Sequence, residues 1–144
     1  HLTQVKPAMS LMYAVSPIGA DHMSCEHDWL NTETGEAAKG LGLMQPGEVN
    51  STGIDKVRQV VYSQYYYSAL DSLSLCMFCW GVGNLFTYPE LIELIHSVTG
   101  FDMTFWEVMK AGERRITMMR LLNLRRGFTE NNELIEYAKQ RFIL

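Results

Sequence analysis

Thr104-Phe-Trp-Glu107-Val-Met-Lys-Ala-Gly112-Glu-Arg-Arg-Ile-Thr-Met-Met-Arg-Leu-Leu-Asn-Leu-Arg-Arg-Gly127 is the stretch that decides the fold. Thr104 and Glu107 have the spacing of a capping box, in which hydroxyl and carboxylate satisfy the orphan amides of a first helical turn. Phe105, Val108, Met109, Ile116 and Met119 then fall on one side at helical intervals. Gly127 stands where such a helix stops. Gly112 lies inside it, at a cost of about 1 kcal/mol relative to Ala. The expectation is that it permits close approach of a neighbouring backbone. The basic residues between Arg114 and Arg126 recur at helical spacing and read as a solvated face.

Upstream, Thr87 and Glu90 form another capping box, with Pro89 in the first turn, where its missing N–H would be unpaired anyway. Leu91, Leu94, Ile95 and Val98 should face inward, and Gly100 should end the helix. Before it, a long helix should start within residues 51–55 and carry Ile54, Val57, Val61, Tyr65 and Ala69 on its apolar face. It should run into Asp71, with Phe78 as its furthest end, before Gly81 and Gly83 open a turn. Residues 31–53 hold five Gly and read as loop, which leaves a short helix over residues 5–15 (Val5, Met9, Met12, Tyr13) ended by Pro17 and Gly19. Downstream, Thr129 should cap a last helix bearing Leu134, Tyr137, Ala138 and Phe142. With no alternating strand and no fixed-period repeat, the expected fold is all-α. It is an irregular bundle of about five helices, in a single domain over residues 1–144.

Composition narrows the function. Apolar residues make up 47% of the 144 and charged residues 19%, a balance that supports a packed core. The net charge of −4 argues against nucleic acid as a partner, since phosphate binding needs a concentrated positive field. No apolar run reaches the roughly 18 residues of a membrane span. Residues 73–86 come nearest and are interrupted by Gly81, Gly83 and Asn84. Three Cys cannot all pair within one chain, and no signal peptide is visible, so reduced thiols and a cytoplasmic location are expected. The chain opens at His1 in mid-pattern, as a piece of a longer protein would.

Two stretches carry chemistry. In Asp71-Ser-Leu-Ser-Leu-Cys76-Met-Phe-Cys79, the C-x-x-C suits a metal, a cluster or a redox dithiol, or two small buried thiols. In Gly19-Ala-Asp-His22-Met-Ser-Cys25-Glu26-His27, His and carboxylates crowd together. They suit acid–base work or metal ligation, or a polar loop that caps neighbouring helices.

Ala14-Val-Ser-Pro-Ile-Gly-Ala-Asp-His22 resembles the segment A-T-S-x-x-G-A-D-H of the tungsten-containing aldehyde:ferredoxin oxidoreductase family. Asp71-Ser-Leu-Ser-Leu-Cys76 resembles that family's D-x-x-G-L-C. Gly112-Glu-Arg-Arg followed by Leu122-Asn-Leu-Arg-Arg-Gly-Phe128 resembles its G-E-R…N-L-x-R…G-F signature, and the three segments stand in the family's order.

The resemblance implies a C-terminal helical part of an enzyme that oxidises an aldehyde, with water, to a carboxylic acid and passes electrons to ferredoxin. By the same resemblance Cys76 is the fourth ligand of a [4Fe-4S] cluster, a role that suits a thiolate. Asp71 hydrogen-bonds the pterin of a tungstopterin (bis-molybdopterin tungsten, or molybdenum in its place), and Leu75 contacts it through its backbone. His22 transfers a proton beside the metal. As successive helical positions, Asp71 and Leu75 would share a face with Cys76 one step round, so one helix end would touch pterin and cluster together.

Ser74 replaces the family's Gly, a residue that would let the backbone approach the pterin closely. The D-x-L-P-x-R that commonly follows the G-F element is not seen after Phe128, and Cys79, Cys25 and His27 receive no family role. In the family, three further cluster Cys and most pterin contacts come from upstream segments. The chain by itself is therefore expected to hold no cofactor and show no activity without an N-terminal cofactor-binding domain. A face meant for that domain would be a route to homo-oligomers. Two other readings compete: a non-catalytic helical interaction module, and a small thiol or metal-binding protein using Cys76 and Cys79.

Overall fold

A computed structural model describes residues 5–28, 36–45 and 47–128. These form six helices and no strand: α1 (Pro7–Val15), α2 (Glu36–Gly40), α3 (Ile54–Ser72), α4 (Met77–Trp80), α5 (Tyr88–Thr99) and α6 (Phe105–Arg125). The all-α expectation holds. The helix expected from Thr129 onward lies outside the described residues. No helix among the described residues is long and apolar enough to cross a membrane.

The pair α3 and α6 is the centre of the molecule. Val108, Met109, Gly112 and Ile116 form the buried stripe of α6. Tyr66, Tyr67, Ala69 and Leu70 of α3 meet it, together with Leu91 and Ile95 of α5 and Val82 from the turn before α5. Each large apolar side chain buried this way stabilises the fold by about 1.5–3 kcal/mol. Gly112 does what its position suggested. A Cβ there would lie 1.8 Å from the Tyr65 carbonyl oxygen and 3.0 Å from the Ala69 nitrogen, so the two backbones touch. Both expected capping boxes form, and Gly100 takes the left-handed conformation at the end of α5. Val98 departs from expectation and is 75% exposed, because the core contacts of α5 end at Ile95.

The apolar face expected on α3 is largely wrong. Ile54 is 63% exposed and Val57 39%, and of the five residues only Ala69 is fully buried. The first half of α3 buries a polar stripe, Lys56, Gln59, Ser63 and Gln64, against residues 21–28. Lys56 Nζ meets Asp28 Oδ1 at 2.8 Å and the Val49 carbonyl at 2.9 Å, while Gln59 Nε2 donates to the His27 carbonyl at 2.6 Å. Hydrogen-bonded polar side chains can be buried where apolar periodicity fails to point.

Residues 31–53 are not all loop. Glu36–Gly40 turns into α2, which docks on α5 because the Tyr88 hydroxyl donates to the Ala37 carbonyl at 2.6 Å and the Tyr88 ring lies against Gly40. At the other end, α1 begins at Pro7 and leaves Val5 exposed, while Met9, Met12 and Tyr13 pack with Cys25 and Val60. Lys6 gives α1 no side-chain cap; Asp28 accepts the Ala8 N–H at 2.9 Å instead.

The helix α3 runs through Asp71, as expected, and stops at Ser72, well short of Phe78. Leu75 N–H reaches back to the Leu70 carbonyl at 3.0 Å and Ser74 N–H to the Asp71 carbonyl at 3.1 Å. This is a Schellman end, whose penultimate residue must be left-handed. Ser74 is that residue, at φ 57°. The Gly of the family pattern therefore has a backbone reason, independent of any approach to a pterin. The end of α6 is built the same way and uses Gly127, at φ 85°.

Candidate functional site

The helix end of α3 places Asp71 in its last turn, Leu75 just beyond the Schellman turn and Cys76 on extended backbone capping α4. Leu75 and Cys76 thus do not continue the helical face of Asp71. Cys76 is exposed and Leu75 half-buried. The Leu75 N–H is committed to Leu70, and its carbonyl accepts no hydrogen bond among the described residues.

Asp71 has a partner that spacing could not reveal. Arg115 Nη1 of α6 lies 3.1 Å from Asp71 Oδ2 and 3.3 Å from the Ser68 hydroxyl. Helical spacing puts Arg115 on a solvated face; in the structure it crosses to α3 instead. Arg120 and Asn123 reach the other way, to the Val15 carbonyl and the Pro17 carbonyl, each at 2.7 Å. The three segments that carry the resemblance therefore converge. Residues 16–18 and Ser24, Asp71 at the end of α3, and Arg115 with Ile116 of α6 line one cleft of about 20 Å³, room for a single water.

His22 and Cys76 are both exposed, and neither lines this cleft. His22 sits in a short polar loop. Asp21 closes that loop on itself, accepting from Met23 N–H at 3.0 Å and from the Ser24 hydroxyl at 3.1 Å. His27 braces it from below. Its Nε2 lies 3.2 Å from the His22 carbonyl and its Nδ1 3.3 Å from Lys6 Nζ. An ammonium only donates and a carbonyl only accepts, so Nδ1 accepts and Nε2 carries the hydrogen. Below that, Glu26 is buried, accepts the His27 N–H at 2.9 Å through one oxygen and receives the Tyr67 hydroxyl on the other. Burial, followed by the Glu26 charge, pushes the Tyr67 phenol far up. Most of the polar chemistry of residues 20–28 therefore faces inward as structure, with His22 outside it.

The three thiols differ. Cys25 is fully buried, with its thiol on the Glu26 carbonyl at 3.2 Å; burial first, then the Glu26 and Asp28 charges, push it far above the ordinary thiol range. Cys79 is half-exposed and also raised, by desolvation and then by the neighbouring Cys76 sulfur. Among the described residues no three His, Cys, Asp or Glu side chains gather to hold a metal ion. Larger clefts lie elsewhere, among them two on other faces of the described residues. One, of about 650 Å³, is bordered by Met44, Phe86 and Tyr88; the other, of about 540 Å³, by Tyr62, Phe105 and Trp106.

Residues 1–143 match the family described as aldehyde ferredoxin oxidoreductase, domains 2 and 3. The chain is 31% identical over 85 residues to a tungsten-containing aldehyde ferredoxin oxidoreductase of Pyrococcus furiosus. That stretch is 58% of this chain and 13% of that relative. No solved structure matches. By its match across nearly every residue, this chain belongs to the aldehyde ferredoxin oxidoreductase family.

Proposed function

We propose that the chain forms one wall of a composite redox site in a longer cytoplasmic enzyme that oxidises aldehydes to carboxylic acids. What supports the reading is the convergence of the three family-like segments: Asn123 holds Pro17, Arg115 holds Asp71, and Asp71 shares a cleft with the segment that leads to His22.

The donor set fits a share of the cofactor and not the whole. Cys76 offers one exposed thiol, the Leu75 carbonyl is an open acceptor, and Asp71 brings a surface carboxylate. A [4Fe-4S] cluster takes four cysteine thiolates, so an N-terminal domain would supply the other three and most of the pterin contacts. When bound, the tungstopterin and cluster supply the redox chemistry, oxidation of aldehyde and water to acid with electrons passed on to ferredoxin.

The chain's own residues then have separable tasks. Asp71 accepts N–H groups of the pterin, and Arg115 fixes the carboxylate through a charge-assisted bond to one of its oxygens. Leu75 offers its carbonyl to the same ring. His22 holds and moves the proton released as water adds to the aldehyde, at its imidazole, from an exposed position on a loop that His27 and Glu26 hold in place. In the longer enzyme, His22→Asn should keep tungsten and iron content and lower aldehyde turnover about 10²–10⁴-fold. Unchanged turnover would remove His22 from the mechanism. Upstream coding sequence without three clustered Cys would remove the enzyme reading altogether.

A further inference from the structure

Cys79 is not needed by the function proposed above, yet it stands one turn from Cys76. Its N–H donates to the Cys76 carbonyl at 3.0 Å, closing a four-residue turn. Such a turn holds its end Cα atoms within about 7 Å, and a disulfide spans Cα separations of about 4.4–6.8 Å. Both thiols reach solvent, Cys76 exposed and Cys79 half-exposed. Between them Met77 packs half-buried against the core and Phe78 is 70% exposed. The third thiol, Cys25, is sealed at 0% exposure and cannot compete.

We infer that Cys76 and Cys79 form a reversible intramolecular disulfide by exchange with a small-molecule disulfide. One thiol loses its proton, and its sulfur attacks the reagent disulfide. That S–S bond breaks and one reagent thiolate leaves, giving a mixed disulfide on the protein. The second protein thiol loses its proton and attacks the mixed disulfide at the protein sulfur, forming Cys76–Cys79 and expelling the second reagent thiolate. Two protein thiols are oxidised, one reagent disulfide is reduced to two thiols, and the two protons end on those thiols. The consequence for metal binding rests on the function proposed above: the bond withdraws Cys76 from ligation, so the turn would protect or disable the ligand when no cluster is bound.

The test uses the folded chain and oxidised glutathione, with alkylation by iodoacetamide and peptide mass analysis. The peptide holding residues 76–79 should lose two hydrogens and resist alkylation until dithiothreitol restores it, while Cys25 stays unmodified. Cys79→Ser should stall as a glutathione adduct on Cys76, and Cys76→Ser as an adduct on Cys79. Stable adducts on both sulfurs of the parent chain, or free alkylation of both after exposure, would overturn the inference and leave Cys76 available as a ligand. Loss of the ligand role for Cys76 would in turn leave the disulfide result untouched.

Discussion

Gly112→Ala adds a single methyl group where α3 and α6 touch. The new Cβ would fall 1.8 Å from the Tyr65 carbonyl oxygen, 2.8 Å from its carbon and 3.0 Å from the Ala69 nitrogen. All three are backbone atoms, so no rotamer change relieves the clash and the helices must part by roughly 1.5 Å at that point. Parting loosens Val108, Met109 and Ile116, each of which contributes about 1.5–3 kcal/mol by burial. Ala is the better helix former by about 1 kcal/mol, which offsets part of the loss. The expected net destabilisation is about 2–4 kcal/mol, read as a lower urea midpoint with an unchanged denaturant slope. A variant as stable as the parent, or more stable as helix propensity alone requires, would refute the close contact between α3 and α6.

Three further outcomes follow from particular contacts. Ser74→Gly should raise stability by about 1 kcal/mol, because Ser74 occupies a left-handed position that glycine adopts without strain; Ser74→Ala should show no such gain in the same urea titration. Lys56→Ala strands the Asp28 carboxylate in a buried site and should cost about 3–5 kcal/mol, whereas Lys56→Met combined with Asp28→Asn should recover much of it; equal losses in both would show that the pair is unimportant. Tyr66, Tyr67 and Tyr88 are all pushed up by burial, so their folded pKa values lie above the unfolded value of about 10. Their contribution to stability is complete below that pH and declines as pH rises above it. Tyrosinate absorbance should therefore appear cooperatively with loss of helical circular dichroism, and independent titration of these phenols in a folded chain would contradict their burial.

The parts of the fold legible in the sequence were those governed by local rules. Thr87 with Glu90, Thr104 with Glu107, Gly100 and Gly127 each satisfy backbone groups within a few residues, so spacing alone located the ends of α5 and α6. Gly112 was legible because a mid-helix glycine needs a reason. The buried side of α3 was not, since Lys56 and Gln59 are buried by partners at residues 27, 28 and 49, which no periodicity encodes. At the candidate site, Asp71, Leu75 and Cys76 could be picked out by motif. Arg115 could not: it lies 44 residues from Asp71 and looked like any solvated arginine. Spacing also treated the α3 helix as continuous through Ser74, because a serine does not announce the left-handed turn that a glycine would.

Iron content and cluster spectrum of the longer protein bearing Cys76→Ser, set beside Cys79→Ser, test most directly whether this chain completes a cofactor site. Under the proposed function Cys76→Ser should lower bound iron and alter or abolish the cluster's electron paramagnetic signal while Cys79→Ser keeps both, because the exposed Cys76 thiol would close a four-cysteine shell. Full iron and an unchanged spectrum in Cys76→Ser would contradict it.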